Sequence, residues 1–472
     1  MHRLVSSDTN LNLSIGQERR SHIEPDNLLN SYSPIYSLPR EILSLIFEIG
    51  KAWELYDSFF VDDDTSEYHP PIPALEILLT HVSSHFRDIT IGTHALWTSI
   101  HITTTISLEE VKTYMTRSDG LALSVRIDDP TPIARTKEKI GSILPHLDRY
   151  RKLIIHATRE TTGLPIIRCF SNQDAPRLKH LSVSVEDVEE GIVATGTNLL
   201  MGGAPLLSFV RLRGLAVPLF KPPLYSVTTL HLDQTISLPI QYVTFCHMLT
   251  ASPSLKNLSI HGDIIDTAWP IIITPINLPS LRSLRVCGID GLIYSNLLLR
   301  LNAPGLNSLV LKDVQEADLD QFWASPDVYK FPFLHHLSFN NFEVSGRAYI
   351  DVFRAFPAIT HFTTTYSFRT PMILHLLAQW STDRSYEIPW ANLHTLNFYT
   401  NLGGGDLIKN VVQARATSGH PLKKLGVGIR SELSLLPHYH WLKTKINLEE
   451  FQGREQWPGD GSCFDPDDDL FD

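Results

Sequence analysis

The chain has 472 residues, of which 43% are apolar and 19% are charged. A single compact core rarely holds so long a chain, so the sequence predicts two domains or an array of repeats. Residues 1–34 lack the apolar run of a signal peptide, and the uncharged stretch 267–281 is too short to span a bilayer. The four cysteines form no Cys-x-x-Cys pair, which favours a reducing compartment; we expect the cytoplasm or the nucleus.

The formal net charge of −11 arises from two acidic runs. Residues 57–67 carry five acids and no base, and residues 459–472 carry six acids and no base, which together equal the whole excess. We expect both runs to be solvated, and the polar segment 1–34 to be disordered. The remaining sequence is balanced in charge and predicts no broad basic surface, so we expect neither nucleic acid nor a membrane as a partner.

The first predicted helix begins near residue 38. Ser37 is a candidate N-cap, and Pro39 falls in the first turn, where its missing N–H is not needed. Apolar residues then recur at helical spacing, and we expect them to share one face: Ile42, Leu43, Ile46 and Phe47.

A second piece, residues 75–102, contains Leu79-x-x-Val82-x-x-x-Phe86-Arg87-Asp88-Ile89 and then Leu96-Trp97-x-x-Ile100. Together with the opening Leu38-Pro39-Arg40-Glu41-Ile42-Leu43, it resembles an F-box of the form common in fungal F-box proteins. The chain departs from that pattern at Ser83, where Cys is frequent, at Phe86, where Trp is frequent, and at His94, where Pro is frequent. An acidic insert at 51–73 separates the two pieces.

The resemblance implies an adaptor that is not itself an enzyme. In that family the F-box binds the Skp adaptor, and through it a cullin, while a second domain presents a target protein for ubiquitin transfer. The residues that the resemblance assigns to adaptor binding are Leu38, Pro39, Ile42, Leu43, Phe47, Val82, Phe86, Leu96 and Trp97.

After the F-box-like region the chain repeats the pattern Pro-x-Leu-x-x-Leu-x-Leu in a loose form. Eleven copies are centred on Leu153, Leu181, Val210, Leu230, Leu258, Leu284, Leu309, Leu337, Phe362, Leu396 and Leu425. Most steps between these centres are 25–29 residues, which is typical of leucine-rich repeats. Each Leu-x-Leu predicts a short strand with two inward apolar residues and one outward residue between them. The Asn or Cys that usually follows the strand is missing, so we expect an irregular stack.

These patterns predict an α/β fold: a small helical F-box domain followed by a curved leucine-rich-repeat solenoid with a concave parallel sheet. The expected boundaries are 1–34 disordered, 35–102 F-box-like with the insert 51–73, 103–145 connector, 146–430 repeats, 431–458 C-terminal cap and 459–472 acidic tail.

The outward strand positions are candidates for binding the target. They place a modest basic cluster across the concave face, formed by Arg211, Arg213, Arg285 and Lys312. Arginine side chains of this kind recognise acidic or phosphorylated segments through paired hydrogen bonds. The alternative is an ordinary solvated polar surface.

The sequence contains no phosphate-binding loop, no His-Glu-x-x-His and no Gly-x-Ser-x-Gly, so we expect no catalytic residue and no cofactor. His438 and His440 could share a face, but no third ligand is evident, and we expect no metal. Two other functions stay open. One is a leucine-rich interaction scaffold with no link to ubiquitin. The other is a leucine-rich GTPase-activating regulator acting through an exposed Arg.

Overall fold

The structure is a computed structural model. It describes residues 34–57, 74–128, 133–187, 196–236, 238–265, 269–271, 274–289, 291–325, 330–365, 370–382, 388–399, 405–428, 433–451 and 457. The segment predicted to be disordered, apart from Pro34, lies outside these residues. The acidic tail and most of the acidic insert lie outside them as well.

The chain divides into two compact units. The helical unit comprises residues 1–98 and 116–121, and the sheet unit comprises residues 99–115 and 122–472. The sheet unit therefore starts within the region expected to be F-box-like and takes in most of the expected connector, which forms a strand at Leu123–Asp128.

In the part of the helical unit that the structure describes, there are three α-helices: α1 (Arg40–Asp57), α2 (Leu75–Val82) and α3 (Ser84–Gly92), followed by a 3-10 helix at His94–Trp97. The carbonyl of Pro39 accepts the first bonds of α1, from the amides of Ile42 and Leu43. Ser37 does not cap α1, because its hydroxyl donates instead to the carbonyl of Pro34 in a preceding 3-10 turn. Ser83 caps α3 by accepting from the amide of Phe86.

One parallel sheet of 14 strands runs through the described part of the sheet unit. The strands are β1 (Ser99–Ile102), β2 (Leu123–Asp128), β3 (Tyr150–Arg159), β4 (His180–Asp187), β5 (Phe209–Gly214), β6 (Thr229–Asp233), β7 (Asn257–His261), β8 (Ser283–Cys287), β9 (Ser308–Lys312), β10 (His336–Asn340), β11 (His361–Thr365), β12 (Thr395–Tyr399), β13 (Lys424–Gly428) and β14 (Asn447–Glu450). They pair strictly in chain order. Two short strand pairs lie outside this sheet, Thr197–Asn198 with Phe220–Lys221 and Ile276–Asn277 with Leu301–Asn302.

Neighbouring strands pair so that the centre of one sequence repeat lies opposite the centre of the next. Leu258 pairs with Leu284, Leu284 with Leu309, and Leu309 with Leu337. The same holds at every step from Leu153 to Leu425. All eleven repeat centres are buried. A mixed α/β fold with one long parallel sheet, built from stacked Leu-x-Leu strands, is thus established.

Helices connect the strands of the sheet, and we call the face that carries the repeat centres its leucine face. They are α4 (Leu108–Arg117), α5 (Ile133–Ile143), α6 (Glu160–Phe170), α7 (Ala216–Leu219), α8 (Tyr242–Thr250), α9 (Leu292–Arg300), α10 (Asp320–Trp323), α11 (Gly346–Ala355), α12 (Thr370–Thr382), α13 (Gly405–Thr417) and α14 (Tyr439–Lys445). Among the described residues, three further 3-10 helices lie at Leu144–Arg149, at Leu433–Leu435 and, in the helical unit, at Pro34–Ser37.

Close approach to the leucine face explains a glycine in α6. A Cβ added at Gly163 would lie 3.1 Å from the Cβ of Ala157 and 3.2 Å from a methyl carbon of Val185. These two residues lie on β3 and β4, on the same side as Leu153 and Leu181, because side chains alternate along a strand. The helix therefore packs directly on the inward row of the strands.

Three of the turns that leave the strands use left-handed backbone. Gly262, Asp313 and Asn341, each directly after a strand, have φ of +79°, +58° and +51°. At Gly262 an added Cβ would lie 2.2 Å from the carbonyl oxygen of Gln234, so that turn requires glycine. The varied residue types at these turns account for the loose repeat.

Candidate functional site

The helical unit exposes one apolar side of α1. Leu43 and Phe47 point inward and are buried, and the ring of Phe47 lies 5.2 Å from that of Phe86. The opposite side carries large apolar residues that are 43–70% exposed, and we call it the apolar face of α1: Ile42, Leu45, Ile46, Ile49 and Trp53. Exposed apolar patches of this kind mark binding sites for partners.

This arrangement corrects the expectation that Ile42, Leu43, Ile46 and Phe47 share one face. Residues 42, 45, 46, 49 and 53 follow the i, i+3, i+4, i+7, i+11 spacing of one stripe, whereas residues 43 and 47 belong to another. Leu45, Ile49 and Trp53 were missed as surface residues, although their helical spacing from Ile42 was a usable signal. The two stripes separate because, among the described elements, α2 and α3 pack on the side of the helix that carries Leu43 and Phe47.

The nine residues predicted to bind the adaptor fall into two groups. Pro39, Ile42 and Val82 are exposed, and Leu38 is half-buried. The other five are buried inside the helical unit: Leu43, Phe47, Phe86, Leu96 and Trp97. Those five side chains form the core of the unit, so their part is to hold α1 in place.

The pieces of the F-box-like motif meet within this unit. The indole N–H of Trp97 donates to the carbonyl of Thr90 at 2.9 Å, and the guanidinium of Arg117 lies 4.3 Å from the Trp97 ring. Arg40 donates to the carbonyl of Asp88 at 2.9 Å and so joins the start of α1 to α3. Lys51 and the buried Glu76 form an ion pair of 2.7 Å between α1 and α2.

In the sheet unit, the residues between the two inward residues of each strand lie on the other side of the sheet, which we call the polar face. It carries Ser182, Arg211, His231, Ser259, Arg285, Val310, Ser338, Thr363 and Asn397 in register. From Ser182 to Arg285 these side chains are buried, whereas Val310 and Ser338 are half-exposed. The outward direction is as predicted, but the central part of the face is not open to solvent.

Buried charges on the polar face are held by close polar contacts. Arg211, which is 2% exposed, donates to Asp233 on the next strand at 2.6 Å, and Asp233 is itself fully buried. Arg285, which is 5% exposed, donates to the hydroxyl of Ser259 at 2.7 Å and lies 3.4 Å from Nδ1 of His231.

The histidines of this region are neutral. Desolvation, followed by nearby cationic side chains, holds the pKa of His180 and of His231 well below the usual range. Desolvation lowers the pKa of His261 to about 4, helped by Lys312 and Arg213. Burial raises the pKa of the Cys287 thiol to about 12, so it stays protonated.

Trp457 lies against this cluster. Its ring centre is 4.4 Å from the guanidinium carbon of Arg285 and 5.5 Å from the centre of the His231 ring, in an edge-on arrangement. His231 in turn contacts Phe209, on which His180 stacks at 4.1 Å. No local pattern in the sequence predicted that this C-terminal residue would sit on the central repeats.

Of the four residues predicted to bind a target, Arg211 and Arg285 are therefore buried, whereas Arg213 and Lys312 are half-exposed. The structure does bring all four to the polar face, on strands β5, β8 and β9. Asp233 holds Arg211, and Ser259 and His231 hold Arg285.

The histidine candidates for a metal do not converge. His336 stacks on His361 at 4.3 Å, and His438 pairs with Asp406 at 2.6 Å. Among the residues that the structure describes, no three His, Cys, Asp or Glu side chains form a group that could hold a metal ion. None of the helices in the described ranges combines the length and the apolar content needed to cross a membrane.

The fold and its register define a repeat-built α/β protein with one long parallel sheet of the leucine-rich-repeat kind. No protein-family model matches the chain, and no curated protein matches it. Among solved structures, the crystal structure of the TLR13–ssRNA13 complex aligns with 75% of this chain and 54% of that chain. The identity is 15% and the TM-score 0.34. So distant a likeness carries no argument, and the description rests on this chain's own register.

Proposed function

We propose that the protein recruits substrates as the F-box subunit of a Skp–cullin–F-box ubiquitin ligase. The helical unit binds the Skp adaptor, and through it a cullin, while the sheet unit binds the target protein. The protein makes and breaks no bonds itself, and it needs no cofactor. Its contribution is to hold the target near the enzyme that transfers ubiquitin, which acts through proximity.

The observation that carries this proposal is the apolar face of α1. Five large apolar side chains stand on one helix at regular spacing, 43–70% exposed, although α2 and α3 bury the other side of the same helix. A partner that covered this face would gain roughly 25 cal/mol for each Å² of apolar surface removed from water. An amphipathic helix with such a stripe fits a helical partner.

The position of the F-box-like residues supports the same assignment. Buried Leu43, Phe47 and Trp97 fix α1 against α3 and the following 3-10 helix. The helical unit thus resembles a preformed docking module. Preorganisation of this kind limits the entropy that is lost when a partner binds.

The test is binding between the full chain and purified Skp adaptor, measured by calorimetry. We expect a one-to-one complex. A Leu45→Asp, Ile49→Asp variant should bind at least about 100-fold more weakly, because each buried apolar anchor contributes about 2 kcal/mol. Replacing Leu38 and Pro39 by Ala should also weaken the complex, by disturbing the start of α1.

The matched control is Glu48→Arg, since Glu48 is exposed on the same helix outside the apolar face. Its affinity should stay within about threefold of the wild type. If the wild-type chain shows no binding to the adaptor, the F-box assignment is wrong. A leucine-rich scaffold without a link to ubiquitin would then describe the molecule better.

A further inference from the structure

The polar face is already in contact with an aromatic residue from the far C-terminal end of the described chain. Four rings follow one another in contact across β4 to β6 and end at this residue: His180, Phe209, His231 and Trp457. The Trp457 ring also covers the guanidinium of Arg285 at 4.4 Å. A cation against the face of an indole, away from water, is one of the stronger forms of this interaction.

Cationic side chains continue beyond Trp457 along the same face. Arg213 and Lys312 lie two positions further along their strands than Arg211 and Val310, and both are half-exposed. Strands stack about 4.8 Å apart, so the span from β5 to β9 is about 19 Å. Two acids follow strands of this sheet, Asp263 after β7 and Asp313 after β9. Asp313 accepts from Cys287 and Asn341, and Asp263 accepts from the amide of Ile289.

The sequence that follows Trp457 has the complementary chemistry. Residues 458–472 contain six acids and no base, and they include two further aromatic residues, Phe464 and Phe471. An extended chain covers about 3.3 Å per residue, so fifteen residues reach up to about 50 Å. That is ample to cover the 19 Å from β5 to β9 while Trp457 stays in contact with Arg285.

We infer that the C-terminal segment from Trp457 onward is an internal ligand of the polar face. A target of this face then has the same chemistry: an aromatic residue followed within a few positions by several acids. Such a target binds by displacing the chain's own segment. This inference rests on the proposed function only for the statement that the displacing partner is a recruited target.

The test uses a fluorescein-labelled peptide of residues 452–472 and the full-length chain, with fluorescence anisotropy as the readout. The wild-type chain should bind the peptide weakly, because its own segment competes at a high effective concentration. Trp457→Ala should raise the affinity for the peptide by at least about tenfold. Adding Arg285→Gln to Trp457→Ala should remove that gain, whereas adding Arg282→Glu should not, since Arg282 is exposed outside the face.

Changes in the peptide keep the test decisive if Arg285→Gln disturbs folding. A peptide with Trp457→Ala, and a second with its six tail Asp residues replaced by Asn, should each bind the Trp457→Ala protein at least about tenfold more weakly than the parent peptide. Equal affinity of the wild-type and Trp457→Ala proteins would overturn the inference, as would equal binding of all three peptides. The adaptor is absent from every arm, so failure here leaves the F-box assignment untouched.

Discussion

The apolar face of α1 and the polar face of the sheet invert the usual distribution of side chains in opposite ways. On α1, five large apolar residues point into solvent. On β5 to β8, Arg211, Asp233 and Arg285 are buried. Large apolar residues are usually inside and charges outside, so each surface needs a reason. The adaptor proposed above would supply that reason for the first. In the second, Arg211 and Asp233 pair with each other, and Trp457 lies on Arg285.

The two faces also differ in what they contribute to the stability of the folded chain. The apolar face of α1 contributes little to the folded chain, since its side chains remain in water. The polar face is part of the fold, because folding removes its charges from water and protein partners must replace that hydration. Substitutions should therefore affect binding on α1 and stability on the sheet.

The largest effect should come from the leucine face. Leu284→Asp places a charge at a fully buried repeat centre that pairs with Leu258 and Leu309, and we expect a loss of more than about 4 kcal/mol, or failure to fold. Ser338→Asp, at a half-exposed outward position, should cost less than about 1 kcal/mol. Urea unfolding monitored by circular dichroism measures both. Similar losses at the two positions would contradict the register.

A smaller but still large effect is expected at the buried ion pair. Asp233→Asn leaves the Arg211 charge without its carboxylate partner and should reduce the free energy of unfolding by about 3 kcal/mol. The Arg211→Met, Asp233→Leu double variant removes both charges and should recover most of that loss. If the double variant is as unstable as the single one, the pair is not what the substitution disturbs.

Acid should destabilise the sheet unit moderately. Unfolded histidine binds a proton near pH 6.5, whereas His261 has a pKa of about 4 in the folded chain, and those of His180 and His231 are also lowered. The unfolded state therefore binds more protons between these values, so stability is full above pH 6.5 and falls as pH drops toward 4. Melting temperatures across this range should decline less steeply in His261→Asn. An unchanged slope would exclude His261 as a contributor.

The smallest effect on stability should come from a substitution on the apolar face of α1. Ile46→Asp alters an exposed side chain, so the free energy of unfolding should change by less than about 0.5 kcal/mol. Its neighbour Phe47, which is buried against Phe86, should cost about 3 kcal/mol or more when replaced by Ala. Thermal unfolding of the two variants compares the inner and outer sides of one helix. A large loss in Ile46→Asp would show that the apolar face is covered within the chain.

Much of the fold could be predicted from the sequence. The spacing of the repeat centres predicted strands β3 to β13, their order and their register, because a period-2 strand inside a repeat leaves each apolar residue only one way to face the core. The helix near residue 40 was also predictable, but its division into two stripes was not recognised. That division depends on which neighbours pack against α1, although the i, i+3, i+4 spacing was visible.

The sequence by itself determined which side chains point to each face of the sheet, since alternation along a strand is a local property of the backbone. Only the tertiary structure decided that the central polar face is buried and that Trp457 lies on Arg285. These residues are far apart in the chain, and no periodicity relates them. Their contact depends on the path that the chain takes after its last repeat, and the pKa values of His231 and His261 follow from the burial of the polar face.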